Sequence, residues 1–205
     1  MQFSFGIATD YSDTNRLDEI VQSIRNLKIP NYEILMIGNG ERHNEIDVNY
    51  INFNDGNINW ITKKKNILAS ESKYDNIVLF HDYYVFDSEW YSNFLKFGED
   101  WDVCSNAQHL ITGKRHFTDW VVWDSPIYPR YASLNYDDWA HTKYMYQSGG
   151  YMVVKKDFML ECPMNEHMPW GSAEDVEWSL RMREIANWKC NGRSIVKHNK
   201  VHRDA

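Results

Sequence analysis

The stretch NIVLFHDYYVF, residues 76–86, decides how this chain is read. Ile77, Val78, Leu79 and Phe80 make an apolar run of strand length, and the run stops on His81 and Asp82. Polar residues often begin loops, and on that reading Asp82 is a turn-capping acid. An imidazole beside a carboxylate at a strand end is also how a strand delivers a metal ligand to a site. The neighbouring segments decide between the two.

Working outward, FSFGIAT (3–9) alternates apolar residues before reaching small and polar ones, which predicts a strand feeding a loop. Asp13 or Thr14 can cap a helix that carries Leu17, Ile20, Ile24 and Leu27 at helical spacing, and Pro30-Asn31 breaks it. YEILMIGNG (32–40) is a continuous apolar run closed by glycines, the form of a buried parallel strand. VNYINFN (48–54) predicts a third strand and KKKNILASES (63–72) a short helix. Strand, helix, strand, strand, helix, strand over the first 80 residues predicts an α/β layer with a mainly parallel central sheet. In such sheets ligands gather at the carboxyl ends of the strands. Those ends are Thr9-Asp10, Gly38-Asn39-Gly40 and His81-Asp82, all polar or glycine-rich as a nucleotide cleft requires.

The second half is less regular. Trp90, Phe94 and Phe97 mark an amphipathic helix, and WDVCSN (101–106) a strand. Residues 107–147 are rich in Trp, Tyr, Asp and Pro without a sustained period, and irregular chain of that length is usually functional. SGGYMVVKK (148–156) leads two glycines into a strand. MPWGSAEDVEWSLRMREI (168–185) reads as a tight turn and then a helix with acids in its first turn, where the helix dipole favours them.

The 205 residues suit one domain, 1–205, with a nucleotide-binding half at 1–86 and an acceptor and metal-completing half at 87–205. A formal net charge of −7 disfavours nucleic-acid binding through a broad basic face. No apolar run approaches 18 residues and no signal-peptide pattern opens the chain, so no membrane span is expected. Cys104, Cys162 and Cys190 have no CxxC spacing, which fits free thiols in a reducing, cytoplasmic setting. Aromatic residues make up 15 %, and flat rings serve either as core or as surfaces on which sugars and bases stack.

The segments LFHDYY (79–84), SGGYMV (148–153), PWGSAEDVEWSLR (169–181) and KHNKVHR (197–203) together resemble the GT-A (Rossmann-like) fold of nucleotide-sugar glycosyltransferases, close to the family-2-like enzymes. In that family a strand ends in D-x-D, a later G-G opens a strand, W-G-x-x-E-D starts a helix and a late histidine completes the metal site. The W-G…E-D segment is also similar to that of the galactosyltransferases and the polypeptide N-acetylgalactosaminyltransferases. Two departures stand out. His81-Asp82-Tyr83 occupies the place of two acids, and Ile37-Gly38-Asn39-Gly40 lacks the acid that usually contacts uracil. Recognition of the base then rests on Thr9, Asp10 and Asn39.

The resemblance implies a metal-dependent transfer of a sugar from a nucleotide sugar, a UDP-sugar in the first instance, to a hydroxyl of a glycan or other acceptor. Mn²⁺ or Mg²⁺ would be held by Asp82 and His202, with His198 as the competing histidine; the other reading of His202 is a frayed surface residue near a chain end. Asp175, beside Glu174, stands where inverting members place their general base, and helix capping is the plainer role for either acid. Inversion is favoured, and retention on the same fold stays open. Gly149 and Gly150 would let backbone approach the donor sugar, Tyr83 and His81 flank the metal ligand, and Trp170 would be a stacking wall or core. Of Lys63 to Lys65, Lys65 is the candidate for a phosphate; Arg115, Asp119 and Trp120 are candidates for sugar contacts. The alternative from another class is a non-catalytic carbohydrate-binding module. A sugar nucleotidyltransferase would need a glycine-rich, Arg-containing loop after the first strand, and IATDYSDTNR (7–16) is not one.

Overall fold

The computed structural model describes residues 1–40, 47–56, 59–123, 126, 131–136, 138 and 144–199. Along the chain run β1 (Phe3–Ala8), α1 (Thr14–Asn26), β2 (Tyr32–Gly38), β3 (Val48–Asn52), α2 (Ile61–Glu71), β4 (Asn76–His81), β5 (Tyr84–Phe86) and α3 (Trp90–Phe97). They continue with β6 (Val103–Leu110), β7 (Val121–Trp123), β8 (Tyr131–Ser133), β9 (Met145–Tyr146), β10 (Tyr151–Lys155), α4 (Lys156–Glu161), α5 (Glu174–Met182) and β11 (Trp188–His198). The first six elements follow the order that the apolar runs and helical spacing predict.

The main sheet has the order β3-β2-β1-β4-β10-β6-β11-β5. β1 to β4 are mutually parallel, as are β6 and β11. β10 runs against both of its neighbours and β5 against β11, so the sheet is mixed, with most strands parallel, compatible with a Rossmann-like domain. The sheet also curls. In a flat sheet β4 and β5 would lie four strand spacings, about 19 Å, apart. The link from His81 to Tyr84 reaches only about 10 Å. β11 shifts register between Asn191, which pairs with Asn106, and Val196, which pairs with Gln108, and bulges of this kind bend a strand and raise its twist.

Alternation along the central strands buries both faces. Phe3, Phe5 and Ile7, Val78 and Phe80, and Tyr151 and Val153 pack on one side with Leu17, Ile20 and Ile24 of α1 and Trp90 and Phe94 of α3. Ala8, Ile77, Leu79, Met152 and Val154 pack on the other with Leu68 of α2, Phe158 of α4 and Trp178 of α5. A strand covered on both faces has no polar side, which is why these segments read as continuous apolar runs.

Residues 107–147, expected as irregular chain, contain the end of β6 and a separate antiparallel sheet of order β8-β7-β9. Its strands are two or three residues long, too short to print a period.

Gly38 closes β2 against the first strand's loop: a Cβ there would sit 2.5 Å from the Thr9 carbonyl oxygen and 2.6 Å from the Tyr11 ring. Backbone cannot yield as a side-chain tip does. Gly38→Ala should lower unfolding stability by about 1–3 kcal/mol in urea titration; an unchanged midpoint would contradict this packing.

Candidate active site

Register sets the site. β1 and β4 pair in parallel with Ala8 opposite His81, so the residues that follow, Thr9 and Asp82, emerge side by side at the carboxyl ends. The Thr9 hydroxyl donates to Asp82 Oδ2 at 2.6 Å and receives the Tyr11 amide at 2.9 Å. Asp10 turns the loop by accepting the Ser12 amide at 2.9 Å, and Tyr11 takes a left-handed φ of 59°. Asp13 then caps α1 by accepting the Arg16 amide at 3.0 Å, and Arg16 Nε donates to the Asp82 carbonyl at 2.6 Å. From the other side Lys64 Nζ donates to the Thr9 carbonyl at 3.0 Å. Thr9, Asp10, Ser12, Arg16, Lys64 and Asp82 line a cleft of about 300 Å³ together with His81, Tyr83 and Trp170.

Both signs of charge meet there. Burial depresses the Lys64 ammonium below its ordinary value, opposed by Asp10 and Asp82. Burial pushes the Asp10 carboxyl up, but hydrogen bonds from Ser12 and the nearby Lys64 outweigh it and hold the group below its usual value. Burial, then Asp82 and Asp175, push the Tyr83 hydroxyl well up, so it stays protonated. It pairs with His81 Nδ1 at 2.9 Å.

A second layer lies behind the cleft. Gly149 N–H donates to Asp175 Oδ2 at 2.9 Å, and the Asp175 Oδ1 accepts the Val176 amide at 2.9 Å. Glu174 Oε2 accepts the Gly171 amide at 3.1 Å, closing the turn through Ala173, whose φ of 59° is left-handed. Each acid therefore does serve the start of α5. Lys65, fully buried, donates its ammonium to the Gly149 carbonyl. Both glycines sit where a side chain would crowd its neighbours: a Cβ on Gly149 would lie 3.0 Å from Asp175 Cβ, and one on Gly150 3.0 Å from the Tyr84 hydroxyl. They admit protein side chains at these points.

Of the residues expected from sequence, Thr9, Asp10, His81, Asp82, Tyr83 and Trp170 line the cleft. Trp170 is 62 % exposed, which excludes its core reading. Lys65, Gly149, Gly150, Glu174 and Asp175 form the adjoining layer, and the lysine that lines the cleft is Lys64. Asn39 is exposed at the end of β2, one strand away, outside the cleft lining. His202 lies outside the described residues. His198 is buried, its ring 4.6 Å from that of Tyr83 and stacked on His116 at 4.7 Å. The sugar-contact expectation for Arg115, Asp119 and Trp120 is corrected. Arg115 Nε donates to both oxygens of buried Asp119 at 2.8 Å, Tyr136 donates to the same carboxylate, and Trp120 is buried against Trp188. These three hold the small sheet to the body.

Sequence reading missed Arg16 and Ser12, whose reach depends on how α1 departs from the loop; the signal for Lys64 was the triple lysine itself. Among the described residues no three His, Cys, Asp or Glu side chains cluster as a ready metal cage. Nor is any helix among them long and apolar enough to cross a membrane.

No protein-family profile matches the chain, and no curated protein does. Solved structures do. The chain superposes on "Crystal structure of S. aureus TarS" with a TM-score of 0.67 at 13 % identity, covering 98 % of this chain and 37 % of that one. On "Crystal structure of S. aureus TarS 1-349 in complex with UDP-GlcNAc" the TM-score is 0.63 at 12 % identity, covering 98 % and 57 %. The complex of the same protein with UDP gives 0.62 at 12 %. The fold is shared. The chain spans little more than half the length of the shorter of these proteins.

Burial lowers the Lys65 ammonium from 10.5 to about 8, with Asp175 and Glu174 opposing the shift. Below about pH 8 both folded and unfolded states carry the proton, and the burial penalty is fully present. Between there and 10.5 only the unfolded state keeps it, so stability from this group rises with pH. Melting curves of wild type and Lys65→Met from pH 7 to 10 should therefore show wild type gaining on the variant above about pH 8. A constant difference would place the lysine's titration elsewhere.

Proposed function

We propose that the chain is a nucleotide-sugar glycosyltransferase domain of GT-A type that takes a UDP-sugar and transfers its sugar, with inversion, to an acceptor hydroxyl. The observation that carries the reading is the cleft at the ends of β1 and β4, where the Thr9–Asp82 bridge, Lys64 and Arg16 meet beneath an exposed Trp170. Its support is the fold shared with a protein solved with UDP and with UDP-GlcNAc.

We read Asp82 as the carboxylate that would hold a hard divalent ion, in the mode where one or two carboxylates serve and phosphate oxygens and water complete the shell. Asp82 would be the carboxylate and His202 the imidazole, for Mn²⁺ or Mg²⁺. When bound, such an ion supplies Lewis-acid stabilisation of the diphosphate leaving group. The protein's own groups do the remainder. Thr9 fixes the Asp82 carboxylate by its hydrogen bond. Lys64 and Arg16 bring positive charge to the cleft in which the diphosphate would lie. Gly149 N–H orients the Asp175 carboxylate. As the acceptor oxygen bonds to the anomeric carbon and the bond to the diphosphate oxygen breaks, the acceptor proton passes to Asp175.

Thermal unfolding with UDP, UDP-GlcNAc, GDP-mannose and CMP, with and without Mn²⁺, tests the donor. UDP species should raise the midpoint, more so with Mn²⁺, and chelator should remove both the gain and turnover. No stabilisation by any nucleotide contradicts the reading. Asp175→Asn should slow transfer about 10²–10⁴-fold while UDP still binds. NMR of the first product should show the anomeric configuration opposite to the donor's; retained configuration removes Asp175 as the base of a direct displacement.

A further inference from the structure

Lys65 carries a charge that the proposed transfer does not use. It is fully buried and lies outside the lining of the donor cleft, whereas its neighbour Lys64 lines that cleft. A buried ammonium is costly unless its donors are met. Among the described residues its one hydrogen-bond acceptor is the Gly149 carbonyl, and the charges that face it are Asp175 and Glu174 at the start of α5. A methionine would fill the same length of space without that cost. Core packing alone therefore does not account for an ammonium at this point.

The acceptor of Lys65 is also the residue that holds the proposed base. Gly149 N–H donates to Asp175 Oδ2 at 2.9 Å, and Val176 N–H meets Oδ1 at 2.9 Å. The Val176 amide belongs to the helix of Asp175 and moves with it. Gly149 instead ties the half-buried carboxylate to the segment that opens β10. Glycine has more backbone freedom than any other residue, so its N–H points where its contacts hold it. On Gly149 those contacts are Lys65 at the carbonyl and Asp175 at the amide. The residues on either side are fastened elsewhere: Gln147 N–H donates to Ser179 Oγ at 2.8 Å, and the Gly150 carbonyl accepts the His81 amide at 3.0 Å.

We infer that Lys65 is a positioning residue for the proposed base: by holding the Gly149 carbonyl it fixes the Gly149 N–H, and through it the orientation of the Asp175 carboxylate. This deepens the glycosyltransferase reading and rests on it for the role of Asp175. Lys65 itself touches no substrate.

Kinetics with UDP-GlcNAc, UDP titrations and amide hydrogen exchange on the full chain test it. Lys65→Met should lower kcat about 10²-fold, the loss that a small misplacement of a reacting group brings. KM for the donor and the affinity for UDP should stay at their wild-type values. Lys64→Met, at the cleft, should instead weaken UDP. Lys65→Leu is a second neutral variant with the same split expected, and Lys65→Arg, which keeps charge and donors, should retain most of the turnover. In the Asp175→Asn background Lys65→Met should slow transfer no further, since both act through one group. The Gly149 amide should exchange faster in Lys65→Met than in wild type, with circular dichroism verifying that each variant is folded. Full turnover in the neutral variants, a UDP affinity that falls with kcat, an additive loss in the double variant, or unchanged Gly149 exchange would overturn the inference. Exchange also separates the two claims: a faster Gly149 amide in Lys65→Met of a chain that neither binds UDP nor transfers sugar supports the clamp and refutes only the donor reading.

Discussion

The parallel pairing of β1 with β4 is the constraint on which the site depends. It fixes Ala8 against His81 and so leaves Thr9 and Asp82 at one level, where a 2.6 Å hydrogen bond joins two strands more than 70 residues apart in sequence. Three elements around the cleft are tied to these strand ends. α1 reaches them through Arg16, α2 through Lys64, and β10 through the His81 amide, which donates to the Gly150 carbonyl at 3.0 Å. The hydrophobic faces supply the rigidity behind it. Phe5, Val78 and Tyr151 pack on one side of the central strands and Leu79 and Met152 on the other, so the strand ends cannot shift singly.

Buried charge organises the second layer. A lysine without exposure is unfavourable unless its donors are met, and Lys65 is met by the Gly149 carbonyl with two acids of α5 close by. The same glycine donates to Asp175. One peptide segment thus stands between a buried cation and the carboxylate proposed to take the acceptor proton. The glycines of SGGYMV matter because Asp175 and the Tyr84 hydroxyl come so close.

Much of this was legible in the sequence, and the reasons differ by element. β1, β2 and β4 are covered on both faces, so each is an apolar run, and the rule that ligands gather at carboxyl ends then picks out Thr9, Asp10 and Asp82. The same rule marks Asn39, which stands exposed at the end of the neighbouring strand β2. The direction of β10 was not legible, since SGGYMVVKK carries no mark of which way its partners run. β11 was missed because its buried polar residues satisfy one another: Asn191 Nδ2 donates to Ser194 Oγ at 2.9 Å, and Ser194 donates to the Trp90 carbonyl at 2.9 Å. Such pairs look like a loop in sequence. Asp119 misled in the opposite way, its acid resembling a sugar ligand until Arg115 and Tyr136 are seen to consume it.

The central claim is that the strand-end cleft receives the diphosphate of a nucleotide sugar. A crystal structure of the chain soaked with UDP-GlcNAc and Mn²⁺ measures this directly. The account predicts the diphosphate between Asp82 and Lys64, with the nucleoside toward Thr9 and Asp10. Ordered nucleotide instead in the groove between α1 and β5, beside Gln22 and Val85, with the strand-end cleft holding only solvent, would contradict it.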